Sequence, residues 1–237
     1  AGGNDRYVRA TDRYKPTTSK IQLDTDEVIA EVRIPYEVLE DNIEKGNMTE
    51  TILALIAERA ALDLEELIIK GDTAIVGSDP YLGLMNGILK LINTHTVDAS
   101  GVTSYVNLFN TIKKTLPTKY RRNLAVQRFI TSMDFESDYR VQVALRNSIL
   151  GDTVLAGNDP LPVLGVPLVG AALMPTTNII FTNPQNIIFG IQRNIRIEQD
   201  RDIRSREVVI VLTARVALAI EEVDAAVIAS NVGVAAP

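Results

Sequence analysis

The chain has 237 residues, 46% of them hydrophobic, which is enough for one large domain or two small ones around a proper core. It contains no Cys and a single His, so disulfides, thiolate metal sites and Cys-His pairs are excluded, and a Ser-His-Asp triad would have to use that one imidazole. A net charge of −6 argues against a surface built to grip phosphates, although an acidic lining beside packaged nucleic acid would keep the two from sticking.

Residues 1–19 carry Arg6, Arg9, Arg13 and Lys15 interleaved with Tyr7 and Tyr14 and show no apolar periodicity, which reads as an arm, solvated or held by a partner. The polar start is not a signal peptide, and a start without Met is expected to be a processing boundary. From Ile21 the pattern turns strand-like. Val28, Ala30, Val32 and Ile34 alternate with Ile29, Glu31 and Arg33, and a long two-stranded hairpin or loop with Ile21 and Leu23 is expected before Pro35 closes the strand. A short helix through Glu40 follows.

Met48 to Lys70 is the longest helical pattern, with Ile52, Ile56, Ala60, Leu64, Leu67 and Ile68 on one stripe. Asn47 is placed to cap it, Glu50 to complete a capping box, and Gly71 to end it in a left-handed conformation. At 1.5 Å per residue the rod is roughly 35 Å long. A glycine-rich loop leads to a short apolar run, Ile88 to Ile92. Ser104 is expected to cap a helix with Val106, Phe109, Ile112 and Leu116 inward, stopped by Pro117. Leu124 to Ser132 reads as a strand and Met133 to Asn147 as a helix with Tyr139, Val143 and Leu145 inward. Asp159 to Pro175, broken by Pro and Gly, reads as loop and edge strand.

The last third is β. Ile187, Phe189, Ile191, Ile195 and Ile197 form one face, interrupted by Arg193, and every even position from Val208 to Ile220 is apolar. The final strand alone would reach on the order of 50 Å, far beyond the usual length, which suits a thin tile spanning a shell better than a small enzyme. Between the two runs, Glu198, Asp200, Arg201, Asp202, Arg204, Arg206 and Glu207 mix both signs at a turn. They are either a solvated tip or a place where copies meet and opposite charges fix their register.

Chemistry is sparse. His95 lies in a polar stretch and is read as solvent-facing. Asp24 and Asp26 begin a calcium-loop spacing, but Val28 falls where the third oxygen ligand belongs. No phosphate loop or nucleophile elbow is present. No apolar run approaches the 18 or so residues of a membrane span. No cofactor or metal is expected.

The order of parts resembles the major capsid protein family of tailed bacteriophages, the Hong Kong phage capsid fold that encapsulin shells share. KIQLDTDEVIAEVRIPYEVLED enters the long helix, IAERAALDLEELIIKGD runs through its end and LGLMNGIL follows. Later carriers are LPVLGVPLVGAALMP and the stretch from NIIFGIQRNIRIEQDRDIRS to VDAAVI. The resemblance implies an α+β fold in which a spine helix (48–70) packs on long antiparallel strands. An extended loop and short arm would occupy 1–34, a peripheral domain 35–121 plus 184–230, an inserted axial domain 122–183 and a tail 231–237.

It also implies a structural, non-enzymatic subunit that assembles into hexamers and pentamers of an icosahedral shell around double-stranded DNA. Its location would be the virion capsid, assembled in the host cytoplasm. Implied partners are copies of itself, with scaffolding protein, portal, maturation protease and decoration protein, and DNA touched without sequence preference. No scaffolding segment is visible, so the resemblance implies that it is removed or carried by another protein. The extended loop would lie over a neighbour through Val28, Ala30, Val32 and Ile34 or their opposite face, and the turn from Gln199 to Arg206 would sit near local threefold contacts. Some members crosslink a loop Lys to a neighbour, for which Lys15 and Lys20 are the candidates. Two alternatives stay open: an encapsulin enclosing cargo proteins, and an α+β enzyme working with carboxylates alone, which would need a deep pocket holding at least two convergent acids.

Overall fold

The computed structural model describes residues 20–40, 48–102, 104–144 and 161–233. In chain order they form β1 (Asp26–Pro35), α1 (Tyr36–Glu40), α2 (Met48–Lys70), α3 (Ile88–Leu91), β2 (Thr96–Asp98), α4 (Tyr105–Thr115), β3 (Arg128–Ser132) and α5 (Met133–Ala144). These are followed by β4 (Pro162–Val163), β5 (Val166–Ala171), β6 (Ile179–Thr182), β7 (Ile187–Asp202), β8 (Glu207–Ile220) and β9 (Val227–Ser230). Two sheets result: three strands ordered β1-β8-β7, and six ordered β2-β9-β6-β3-β5-β4.

The first sheet is antiparallel throughout, and its middle strand is β8. That explains the strict alternation in β8: even positions form its covered face, where Ile210, Leu212, Ala214 and Val216 are buried, the last two against Leu67 of α2. β1 pairs along its whole length with β8, from Asp26 opposite Val216 to Pro35 opposite Glu207. The expected hairpin with Ile21 and Leu23 is therefore not formed. Residues 20–25 lie outside the strands, with Leu23 packed against the bare backbone of Gly190 on β7.

The interruption at Arg193 has a structural cause. The β7–β8 ladder shifts register between Ile191 and Arg193 and again between Arg193 and Arg196, the irregularity of a β-bulge. The shifts turn Arg193 to the face of Arg215 and return Ile197 to the face of Leu212. Beyond them β7 continues to Asp202, so this ribbon is on the order of 50 Å long.

Helix α2 crosses the first sheet through the end of its apolar stripe. Leu67 is fully buried with Val28, Ala214, Val216 and Met85, and Leu64 and Ile68 pack partly against them. Leu55 and Leu62 lie off the stripe and are exposed. Gly71 closes the helix, its N–H donating to Leu67 O at 3.0 Å, but it does not have the positive φ expected of it. Its glycine is required by close approach instead. A Cβ there would lie 2.4 Å from Met85 O, and Gly71 O accepts from the N–H of Gly87 at 2.7 Å. Two extended chains are thus held in backbone contact under the end of the helix. The expected cap and box at Asn47 and Glu50 involve Asn47, which lies outside the described residues.

The six-stranded sheet has its own core. Every residue of β6 is buried, and Phe181 stacks on Phe129 of β3 at 4.5 Å between ring centres. Phe109 of α4 meets Phe129 edge-on at 4.9 Å, and Phe135 and Tyr139 of α5 close the cluster through Tyr105 and Phe109. Ser104 stands at the N-cap of α4, but its side chain makes no capping bond. The expected strand from Leu124 begins as a 3-10 turn and becomes β3 at Arg128. The run from Ile88 is the short helix α3, and Leu145 lies outside the described residues. This core draws in β2 and α4 from before residue 121 and β9 from after residue 184. A second cluster, built from Ile69, Ile88, Ile180 and Ile228, joins the two sheets.

Truncating Leu67 to Ala should lower unfolding stability by about 2–5 kcal/mol, whereas Leu55→Ala should change it by about 0.5 kcal/mol or less. Urea unfolding of the two variants checks this contrast, and equal losses would contradict the packing described.

Candidate assembly surface

The residues singled out by sequence fall into two groups on the first sheet. On β1, Val28 and Ile34 are buried beneath this chain's own structure, Val32 is half-buried, and Ala30 is exposed. The opposite face is the open one. Ile29 there is 61% exposed, beside Glu31 and Arg33. A neighbour seeking an apolar contact on β1 therefore finds Ile29, while Val28 is already engaged with Leu67.

The second group sits at the β7–β8 tip. Glu198, Asp200, Arg201, Arg204 and Arg206 are exposed and Asp202 is half-buried. The turn is braced from several directions. Asp202 Oδ1 accepts the N–H of Arg204 at 2.9 Å and lies 3.5 Å from that of Ser205, and Asp200 Oδ1 accepts from Arg201 N–H at 2.7 Å. Arg206 takes a left-handed backbone, φ 56°, and its carbonyl accepts the N–H of Tyr36 at 2.9 Å, which ties the start of α1 to the tip. Arg33 bonds Glu31 at 2.6 Å and lies 3.9 Å from Glu207. Ile203, which sequence reasoning did not single out, stands at the apex and is 84% exposed. A lone apolar residue inside a charged turn was the signal for it.

At the bulge one carboxylate serves two cations. Arg193 and Arg215 are cross-strand partners, a like-charge pair that would repel. Glu27 on β1 lies 3.4 Å from Arg193 and 3.8 Å from Arg215, so a single acid offsets both and joins all three strands. Lys20 is exposed at the start of the described chain, and Lys15 lies outside the described residues.

Catalytic geometry is thin. His95 is partly buried rather than solvent-facing; its Nε2 has no hydrogen-bond partner among the described residues and lies 3.9 Å from Asp224 Oδ1. Among the described residues no group of three His, Asp or Glu could hold a metal, and no helix is long and apolar enough to cross a membrane. A groove of about 330 Å³ between α2 and β7 is lined by Leu64, Phe189, Ile191, Asn194, Ile195, Ala214 and Val216, none of them a carboxylate.

Two open sheets, a long ribbon with an exposed apolar side and a charged, braced tip are features of a building block. The model of the phage capsid family matches residues 3–231. The chain belongs to the phage capsid family. It is 45% identical over 222 residues to a putative prophage capsid protein of Bacillus subtilis (strain 168), YqbE, covering 89% of this chain and 70% of that one. Its fold is that of subunits in solved shells. Against the satellite phage P4 procapsid the TM-score is 0.72 at 14% identity, over 98% of this chain and 78% of that one. Against the holo-SrpI encapsulin complex of Synechococcus elongatus PCC 7942 it is 0.62 at 14% identity, over 96% and 80%.

The capsid subunit's tip carries a pH signature. Hydrogen bonding from the Ser205 side chain, then from the Arg204 N–H, holds the Asp202 carboxyl below its ordinary 3.8. A depressed folded-state value means that the turn's contribution is complete above the unfolded value and is lost as pH falls through the lower folded one. NMR titration should therefore find Asp202 below 3.8, with hydrogen-exchange protection of Arg204 and Ser205 lost at still lower pH. Titration at or above 3.8 would contradict the brace.

Proposed function

We propose that this chain is the major capsid protein of a tailed phage or prophage, assembling as hexamers and pentamers into an icosahedral shell that encloses double-stranded DNA. The observation that carries the reading is the β7–β8 ribbon. Phe189, Ile191, Ile195 and Ile197 on it are exposed in the single chain, although they belong to its apolar face. Such a surface is satisfied by burial against other subunits, and many modest interfaces repeated by symmetry put the stability in the lattice. The B. subtilis relative, named a prophage capsid protein, supports the same reading.

In this mechanism the subunit acts without catalysis. The spine helix and three-stranded sheet form the peripheral part. The six-stranded sheet, centred on the expected axial span 122–183, forms the part that gathers at the capsomer centre, with β2, α4 and β9 packed into it. The outward face of β1 with Ile29, and the loop before it, lie over a neighbour. Tips carrying Asp200, Arg201, Asp202, Arg204 and Arg206 meet where three subunits converge, and alternating signs set the register. Lys20 or Lys15 would be the residue available for a crosslink. The net charge of −6 suits a wall that contains DNA without binding it tightly. Scaffolding protein, portal, maturation protease and decoration protein complete the proposed partners, with assembly in the host cytoplasm.

An encapsulin-type shell is the second reading, favoured by the fold match to an encapsulin. Particles from cells that yield nuclease-protected double-stranded DNA support the capsid reading, and particles holding protein alone overturn it in favour of the encapsulin. Reversing Arg201 and Arg204 together to Glu should reduce particle yield by about tenfold or more while circular dichroism stays unchanged. Unchanged yield would mean that the tip is only solvated.

A further inference from the structure

In an acidic chain one stretch reverses sign. From Ala99 to Met133 the sequence holds Lys113, Lys114, Lys119, Arg121, Arg122 and Arg128 and no acid. Topology gathers several of them. Strands β2, β3, β5 and β9 run in one direction, antiparallel to β6, so their starts lie at one end of the six-stranded sheet. Arg128 opens β3, and Lys113 Nζ donates to Leu164 O, just before β5, at 2.9 Å. Glu221, Glu222 and Asp224 stand at the same end, on the turn before β9. Given the order β2-β9-β6-β3-β5-β4, acids flank the β2 side of this end and cations the β4 side. Lys119 is where the two signs come close: hydrogen bonding to Tyr120 and, more weakly, the fields of Glu222 and Asp224 raise its ammonium above the ordinary 10.5.

Both sides are positioned by neutral groups. The side chain of buried Asn186 accepts the N–H of Glu222 at 2.8 Å and donates to its carbonyl at 2.9 Å. Buried Gln127 donates to Tyr120 O at 3.3 Å, Arg121 donates to Thr118 Oγ1 at 3.1 Å, and Lys119 lies 4.4 Å from the centre of the Tyr120 ring. Among the described residues none of these cations makes an ion pair with a carboxylate, neither do Glu221 and Glu222, and Asp224 faces His95 at 3.9 Å. Carboxylates beside the cations would repel a phosphate backbone, whereas a surface with one sign on each side is the complement of another copy of itself.

We propose that this end of the six-stranded sheet is a head-to-tail contact between copies of this chain, in which Lys119 and Arg122 of one copy face Glu221 and Glu222 of the next. The contact rests on the proposed shell and names surfaces that meet within it. Joining two different sides of a subunit closes a ring when the rotation permits, which is what a capsomer centre requires. The exposed charges set partner and register, and Val126 and Leu164, 39% and 41% exposed, add apolar contact beside Arg128 and Lys113.

Particle yield from the full chain, read by sedimentation velocity, tests the contact. Lys119→Glu with Arg122→Glu, and separately Glu221→Lys with Glu222→Lys, should each lower the yield by about tenfold or more with circular dichroism unchanged. All four substitutions in one chain should bring it back to within about threefold of wild type. Mixing the two double variants should also raise assembly above either alone, a rescue that pairing inside one chain cannot give. Recovery in the four-substitution chain without rescue on mixing would assign the pairing to a single chain, and no recovery would remove it; either result overturns the contact, as does unchanged yield in either double variant. If particles of the Lys119→Glu, Arg122→Glu chain form normally but hold less DNA, the cations face the genome and the proposal fails. A wild-type chain that stays monomeric refutes the shell and this contact with it, an outcome distinct from particles whose yield ignores these charges.

Discussion

The contact between the buried end of the spine helix and the three-stranded sheet sets the geometry of everything else. Leu67 is the wedge: it fills the space over Val28, Ala214 and Val216, and its burial orients a rod of roughly 35 Å across strands that run much further than the contact itself. The close approach of Gly71, Met85 and Gly87 leaves no room for a side chain under the helix end, so the angle at which the chain leaves the helix is fixed by backbone packing. From that anchored corner both the helix and the ribbon extend outward with surfaces that are exposed among the described residues.

A subunit built this way has its rigidity in one place and its adhesive surfaces in another. The six-stranded sheet, with Phe109, Phe129 and Phe181 in contact, is an ordinary dense interior. The three-stranded sheet is a thin layer, and polar devices hold its strands together at the bulge and at the tip. Glu27 spans Arg193 and Arg215 at the bulge, and the Asp202 turn and the Tyr36 N–H bond to Arg206 O secure the far end. Each is at least partly exposed and modest in energy. Their value is geometric, because a contact repeated many times in a shell requires each copy to present it in the same way.

Much of this architecture was legible in the residues because period and punctuation agree. The even-position apolar run in β8 could only be a strand with one buried face, and the three- and four-residue steps from Ile52 to Ile68 could only be a helix. What stayed hidden depended on partners distant in sequence. β1 reads as half of a local hairpin, yet its apolar side matches β8, more than 170 residues away. β2 and β9 are too short to show a period, and their parallel pairing is visible only in three dimensions. Gly71 was assigned a left-handed conformation when its real constraint is the backbone it touches. In the candidate site, the charged tip was evident from composition. Ile203 was signalled only as a lone apolar residue in that turn, and which of the two faces of β1 stays open was not readable, because exposure depends on which face the fold has already covered.

The central claim is that the exposed faces of the plate are buried by other copies of the same chain. Sedimentation velocity with negative-stain microscopy on the purified protein tests it most directly. The account predicts uniform, closed, hollow particles; a stable species at the 26.0 kDa of a single chain, under conditions where the fold is intact, would contradict it.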